Sequence, residues 1–407
     1  MLLRHARRGT AGACLLIAAL LLMGCDSAGH GAEPEASPPA HPVFSEPLDA
    51  QPAAALKATR AAGSADFTQV LTFTSKQGDA VLTTKGQFHH ARGWAHVTRT
   101  WTLDEGFSDG AGELLLGTAW SRGAAGRGER IEVEPGSVVH YRATGSPYWL
   151  RYTGEFLSKA EAGGDVDHVL RDSAGPVGRL LVESIPPHGP TTMKPASDGG
   201  RVYRIEGPLY RAQQDLFSDE IGAEIGSRAT EENFPLAVSV DAEGRITRIQ
   251  TDFAALGPGG SGGLGAVTGV RSVLTFSRYG GDRPAPRPAT DTVLAASSHV
   301  QLLTATKPGD CIDERTGLDS SAYVVRVACG EVHDGRVYAR VALTDGPYPG
   351  AKEAERQATG ACRASRSRAP SSWTEADEPG TYWSSWPGVR GWADASPPKV
   401  TCYVRSR

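Results

Sequence analysis

The sequence predicts an α+β protein with two folded parts behind an exported leader. Three observations carry that expectation. A residue period of two recurs in short runs through most of the stretch from 64 to 279, punctuated by Gly and Asp. Helical spacing interrupts it near its start and again in its middle. Four of the six cysteines fall after residue 310, so only the last part of the chain is built for disulfides.

The leader comes first. Arg4, Arg7 and Arg8 precede an apolar run over 11–23, shorter than the roughly 20 residues a membrane span needs. The run closes as Leu22-Met23-Gly24-Cys25: aliphatic residue, spacer, small residue, cysteine. This resembles the lipobox of a bacterial lipoprotein signal peptide. The resemblance implies removal of 1–24 and acylation of Cys25 by palmitate-like chains, leaving the protein on the extracytoplasmic face of the cell membrane. A plain secretory signal and an uncleaved anchor are the alternatives. Asp26, Ser27 and Gly29 stop the apolar run too early for an anchor, and a plain cut needs no cysteine at its boundary. Each buried acyl CH₂ is worth about 0.8 kcal/mol, so two chains hold a protein that one would hold marginally.

Residues 25–47 are rich in Pro, Ala, Gly, Ser and Glu without an apolar period, which reads as a disordered tether. His30 and His41 lie in it and read as solvated. The whole chain carries a net charge of −4, and loss of the three leader arginines takes that to −7. An acidic chain without a basic patch argues against a nucleic-acid partner.

The first folded part opens with an Ala-rich helix expected over 48–62 and stopped by Gly63. The period then changes to two. Phe67, Gln69, Leu71 and Phe73 fall on one side of a strand, with Thr68, Thr72 and Thr74 opposite. Further strands are expected at 80–88, 94–103, 131–133, 137–142, 148–152, 201–206, 236–240, 245–253 and 267–279. Asp241-Ala242-Glu243-Gly244 supplies a hairpin turn with Gly at its end. The run 212–226 has helical spacing through Leu216, Ile221 and Ile225, and 154–171 is ambiguous.

The Ala-Thr-Arg-Ala-Ala-Gly-Ser run at 58–64 leading into an alternating strand resembles the opening of actinobacterial lipoproteins of the LolA/LppX type. The later hairpin around Val240-Asp241-Ala242-Glu243-Gly244-Arg245-Ile246 resembles that family too. The resemblance covers most of 48–280. It implies a curved antiparallel half-barrel sheet with helices on its concave side and a space for acyl chains between them, and it fixes no ligand-lining residue.

Gly259-Gly260-Ser261-Gly262-Gly263 matches a nucleophile-elbow pattern, and 257–262 matches a dinucleotide-loop pattern. Either needs a helix after the loop, whereas here another strand follows, so the stretch reads as a loop. Residues 281–292, with Pro284, Pro286 and Pro288, read as an extended linker.

The remainder, 293–407, is expected to be a small disulfide-stapled α+β domain. Gly309-Asp310-Cys311, then Cys329 followed by His333-Asp334, then a strand, a Pro349-Gly350 turn and a helix ending at Cys362 resemble the septum-formation-related domain of actinobacterial membrane proteins. Trp386, Gly388, Arg390 and Cys402 match its closing residues, with extra residues at 391–400. Four cysteines allow three pairings. Order and spacing favour Cys311 with Cys329 and Cys362 with Cys402. A metal site or a Cys-His nucleophile at Cys329, His333 and Asp334 is the competing reading, which an oxidised Cys329 excludes; His333-Asp334 then makes a local turn or hydrogen bond. Trp373, Trp383, Trp386 and Trp392, like Trp94, Trp101, Trp120 and Trp149, read as core residues rather than sugar-stacking platforms.

Three function classes compete: a non-enzymatic carrier of a lipid or other apolar ligand, an envelope or cell-division-associated interaction protein, and a secreted hydrolase. No Ser, His and acid set stands on credible elements, and the pairs Asp104-Glu105 and Asp377-Glu378 read as solvated. The expectation is a membrane-anchored lipoprotein without catalytic residues, metal or cofactor. Its partners would be the membrane, through the Cys25 lipid, and a lipid ligand. An envelope or division protein docking on the second domain is the alternative.

Overall fold

The computed structural model describes residues 41–116, 128–136, 138–160, 191–208, 217, 219–228, 233–252, 264–281, 292–318, 322–373, 382–387, 392 and 397–405. The leader with Cys25, the Gly-rich loop, most of the proline-rich stretch, Trp120 and the pair Asp377-Glu378 lie outside the described residues.

Helix α1 (Gln51–Ala61) begins with Pro52 in its first turn, where a missing N–H costs nothing, and gives way to Gly63 at φ +82°. It buries Ala55, Leu56 and Thr59 along one side. The strands that follow are β1 (Ser64–Ser75), β2 (Gly78–His89) and β3 (Trp94–Leu103), then helix α2 (Asp109–Leu116). Next come β4 (Gly128–Glu134), β5 (Val138–Ala143), β6 (Tyr148–Thr153) and helix α3 (Gly154–Ala160). After these lie β7 (Thr192–Pro195), β8 (Arg201–Pro208), helix α4 (Asp219–Arg228), β9 (Asn233–Val240), β10 (Ile246–Asp252) and β11 (Val267–Ser277).

These strands form one curved, open sheet of twelve, in the order β12-β6-β5-β4-β3-β2-β1-β11-β10-β9-β8-β7, where β12 is Thr292–Ala295. Antiparallel neighbours carry the chain from β1 out to β6, with α2 between β3 and β4. It then re-enters at the far edge and steps back through β8, β9 and β10 to pair β11 with β1 over ten positions. Alternation puts one face of every strand against the core. Phe67, Leu71, Phe73, Leu82, Val97, Ile131, Leu236, Ile249 and Leu274 are all buried there. The helices join the same cluster through Leu56, Ala111, Ile221 and Ile225. Thr59 ties α1 down directly: its hydroxyl donates to the Ala55 carbonyl (2.8 Å) and accepts the N–H of Ile246 at the head of β10 (2.8 Å). Gly86 permits close approach in the middle of β2, where a Cβ would sit 2.2 Å from the His96 carbonyl and 2.9 Å from the Phe67 ring.

The chain passes from β12 through one helical turn, α5 (Ala296–His299), straight into β13 (Val300–Leu302) of a second sheet. That sheet continues with β14 (Cys311–Asp313), β15 (Tyr323–Val327) and β16 (Gly335–Ala342). Helix α6 (Ala351–Ala364) then precedes β17 (Trp383–Ser385) and β18 (Lys399–Arg405). The six strands run β13-β15-β14-β16-β18-β17. Ala354, Ala358 and Cys362 of α6 pack on Tyr338, Val400, Cys402 and Val404, and the Tyr338 hydroxyl donates to the Cys362 carbonyl (2.8 Å). Cys311 is bonded to Cys329, and Cys362 to Cys402. The first staples β14 to the turn after β15, the second α6 to β18.

The boundary between the two parts differs from the sequence expectation. Thr292–Ala295 was expected at the junction of a linker and the second domain. It pairs instead, parallel, with Tyr148–Arg151 of β6 and so forms the end strand of the large sheet. Its own composition, Thr-Val-Leu-Ala, carries no signal for which sheet it joins.

Candidate functional site

The inner face of the large sheet is mostly apolar; Arg201 and Tyr203 of β8 meet Gln51 of α1 near one edge, and one line of polar side chains crosses the face. In the strand register Glu129 of β4 stands opposite Arg99 of β3, Arg99 opposite Thr84 of β2, and Thr84 opposite Gln69 of β1. The line then steps by one inner position to Ser272 of β11, whose hydroxyl accepts from the Gln69 side-chain amide (3.5 Å), and ends at Thr251 of β10, opposite Ser272. Six polar side chains on six neighbouring strands thus form a continuous track.

Apolar residues bound the track on both sides. One inner position toward α1 lie Ile131, Val97, Gly86 and Phe67; one position the other way lie Trp101, Leu82 and Leu71, while Leu236 of β9 stands directly opposite Thr251. Burial varies along it. Thr84, Ser272 and Thr251 are 5%, 4% and 1% exposed, while Gln69 and Trp101 are half-buried. The Arg99 and Glu129 side chains keep 16% and 26% of their surface and approach to 3.8 Å. The Tyr141 hydroxyl donates to Glu129 (3.1 Å). The Thr251 hydroxyl is dry and has no hydrogen-bond partner.

At its β5–β6 end the inner face meets the second sheet. Tyr148 donates to the Asp313 carboxylate (2.6 Å), and Tyr152 donates to the Thr316 carbonyl (2.6 Å). Gly317, at φ +73°, lies on the Tyr141 ring, where a Cβ would come within 2.6 Å of ring carbons. Arg315 turns back to Asp313 through Nε (2.8 Å) and Nη2 (2.9 Å), and its Nε lies 3.5 Å from Asp334. Asp334 in turn accepts the Glu314 N–H (2.9 Å).

Asp313 is wholly buried. Burial pushes its carboxyl upward, but the hydrogen bonds and charge of Arg315, with Tyr148 and Asp334, hold it below the usual range. Asp334 goes the other way, pushed up to about 7 by burial and then by the Asp313 charge. Tyr148 is raised by burial first and by Asp313 second. Two carboxyls against one guanidinium keep one proton between them near neutrality.

The opposite face carries a second polar row, Gln87, His96, Glu132, His140 and Arg151, again in register. His96 Nδ1 lies 3.3 Å from Glu132 and His140 Nε2 lies 3.3 Å from Glu134. Burial lowers His140, against the pull of Glu134. Among the described residues no group of three or more His, Cys, Asp or Glu is arranged to hold a metal ion.

The residues singled out from the sequence are dispersed. Cys25 lies outside the described residues. Cys329 is disulfide-bonded, and half-buried His333 holds the Glu331 carbonyl of its own turn (2.7 Å). Asp334 makes the hydrogen-bonded alternative: its N–H donates to the Ile312 carbonyl (2.8 Å) and its carboxylate is reached by Glu314 and Arg315 from the end of β14. Trp392, Trp94 and Trp149 are buried, as expected of core residues. Trp101, Trp373, Trp383 and Trp386 are only half-buried. Arg336 stacks on Trp373 (3.7 Å to the ring centroid) and Arg405 on Trp383 (4.5 Å), which covers one ring face with a cation instead of with core. The inner polar track was not legible as a site. Its only sequence signal was Gln69 on the same side as Phe67, Leu71 and Phe73.

No family model matches the sequence, and no curated protein matches it. Among solved structures, the chain is similar to LprF from Mycobacterium bovis, at 10% identity over 60% of this chain and 97% of that one, with a TM-score of 0.34. It is likewise similar to the Mycobacterium tuberculosis lipoprotein LppX, at 12% identity over 59% of this chain and 98% of that one, with a TM-score of 0.32.

Proposed function

We propose that this protein is a non-enzymatic lipoprotein, anchored by acylated Cys25 on the extracytoplasmic face of the membrane, that binds a lipid or other apolar ligand on the inner face of its large sheet. One observation carries the reading. A twelve-stranded open sheet presents an inner face that is apolar on both sides of the polar track, and the middle of that face, at Gln69, Arg99 and Trp101, keeps contact with solvent. A sheet face of that size exists to be covered, and an apolar concave face with a few polar groups is the usual form of a small-molecule site.

The reading assigns no catalytic residue. His90, pressed against the Phe88 ring at 4.5 Å, is pushed down to about 4, first by burial and then by Arg60, and titrates far from neutrality. The limits expected from the sequence were a signal at 1–24, a tether at 25–47, the half-barrel at 48–280, a linker at 281–292 and a second domain at 293–407; the folded part instead takes in Pro42–Ser45, whose Val43 and Phe44 enter the core, and the large sheet takes in Thr292–Ala295.

Native mass spectrometry of the protein purified without detergent tests the reading. The expected result is a bound species of lipid mass that departs on activation. A homogeneous protein mass, with no binding of acyl probes, would overturn it. A Cys25→Ala change is expected to release the intact protein into the medium, and retention in the membrane fraction would refute the anchor.

A second reading, docking of an envelope or division protein on the second domain, is favoured by one feature: the half-buried Trp373, Trp383 and Trp386 with Arg336 and Arg405 stacked among them. A tagged protein spread evenly round the cell at all stages would count against a division role.

A further inference from the structure

We infer that the track from Glu129 to Thr251 is a subsite for an uncharged carbonyl group, an ester or amide, carried in the middle of a ligand with apolar arms on both sides. The inference rests on the lipid-binding reading above and adds to it the chemistry of the ligand.

Three features of the track set that chemistry. The Thr251 hydroxyl is dry and unpartnered, a state native proteins rarely keep. Its neighbours along the track are Ser272 and Gln69, whose own hydrogen bond is long at 3.5 Å. The group that completes this end of the track is an acceptor, which a hydrocarbon chain does not supply. Next, the one cation on the line, Arg99, faces Glu129 at 3.8 Å, and Tyr141 holds that glutamate. Opposite charges in register leave the track neutral, so a free carboxylate or phosphate finds no surplus cation there. Finally, the track crosses the middle of β1, β2 and β3, although Glu129 and Thr251 lie near the ends of β4 and β10. Inner positions lie about 7 Å apart along a strand, and apolar rows flank Arg99, Thr84 and Gln69 in both directions. A single-headed amphiphile would place its polar end at a rim. A polar line at mid-face fits a ligand whose polar atoms sit between two chains.

The test uses the full chain and a matched pair of probes, 1,2-dioctanoylglycerol and the corresponding dioctyl diether, which has the same arms without the carbonyls. Octanoate serves as a charged third probe. Affinities are read by displacement of an environment-sensitive fluorophore. Wild-type protein is expected to favour the diester over the diether by about tenfold, the worth of one well-made hydrogen bond, and to bind octanoate least. In Thr251→Val, which keeps side-chain shape, and in Gln69→Met the diester preference is expected to fall below about twofold. Equal binding of diester and diether by the wild type, or an undiminished preference in both variants, would overturn the subsite. Octanoate binding as tightly as the diester would overturn the neutral-group assignment. Failure of all three probes to bind would instead remove the lipid-binding reading itself. Far-UV circular dichroism checks each variant, and Thr251→Val alone decides the matter should Gln69→Met misfold.

Discussion

Removing one hydroxyl at the contact between the two sheets is expected to loosen the whole molecule. Tyr148 donates at 2.6 Å to Asp313, a carboxylate that is 0% exposed and otherwise held by Arg315 at 2.8 and 2.9 Å. Hydrogen bonds to charged groups contribute roughly 1.5–3 kcal/mol each. In Tyr148→Phe the carboxylate keeps its guanidinium partner, so the loss lies near the middle of that range, about 2 kcal/mol. Tyr152→Phe is the internal control: it also removes a 2.6 Å bond from the same strand, but to the neutral Thr316 carbonyl, and should cost only about 1 kcal/mol. Guanidinium denaturation followed by tryptophan fluorescence reads both, since tryptophans lie in each part of the chain. Losses below about 0.5 kcal/mol in both variants would show that the contact adds no cohesion. A costlier Tyr152→Phe would refute the argument from charge.

The same contact sets a pH dependence. Asp334 has a folded value near 7 against an ordinary value of 3.8, so between those limits the folded state holds a proton that the unfolded chain releases. Its contribution to stability therefore falls as pH rises from about 4 to 7, by at most about 1.4 kcal/mol per unit, and levels off above. Comparing wild type with Asp334→Asn from pH 5 to 8 isolates this term; an unchanged difference across that window would refute it. Thr251→Val should raise stability by about 1 kcal/mol, because it deletes a buried hydroxyl without a partner, and a lower denaturation midpoint would contradict that. Replacing Cys362 and Cys402 by Ser, which opens a loop of 40 residues, should cost about 4 kcal/mol on chain entropy. Opening the 18-residue loop of Cys311 and Cys329 should cost about 3 kcal/mol, and calorimetry showing the reverse order would refute the loop-length argument.

The strands were legible because alternation is local. The expected strand at 94–103 coincides with β3, and 80–88 and 148–152 fall within β2 and β6. The first helix is three residues shorter at its start than expected, since Pro52 fits only its first turn. Short elements escaped notice. β7 has four exposed residues and no pattern, and α2 lies in a stretch that reads equally well as loop. The candidate site escaped for a different reason. Glu129, Arg99, Thr84, Gln69, Ser272 and Thr251 are far apart in sequence and become a line only through five strand pairings, each with its own register. A slip of one residue in any pairing would send the next member to the other face. Asp334 was likewise unreadable, because its partners at 313–315 approach it through tertiary packing and follow no period.

The strand that leaves the large sheet has a consequence for how the protein can be divided. β12, α5 and β13 follow one another without a spare residue, so the polypeptide that ends one sheet begins the next. A truncation in the proline-rich stretch would strip β12 from β6 and open a row of backbone donors and acceptors on a largely buried strand of six residues. It would also strand the hydroxyls of Tyr148 and Tyr152. The second part is therefore the closing piece of the first and not cargo attached to it. A lineage that discarded it would have to invent another cover for the β6 edge before the remaining sheet could stay soluble.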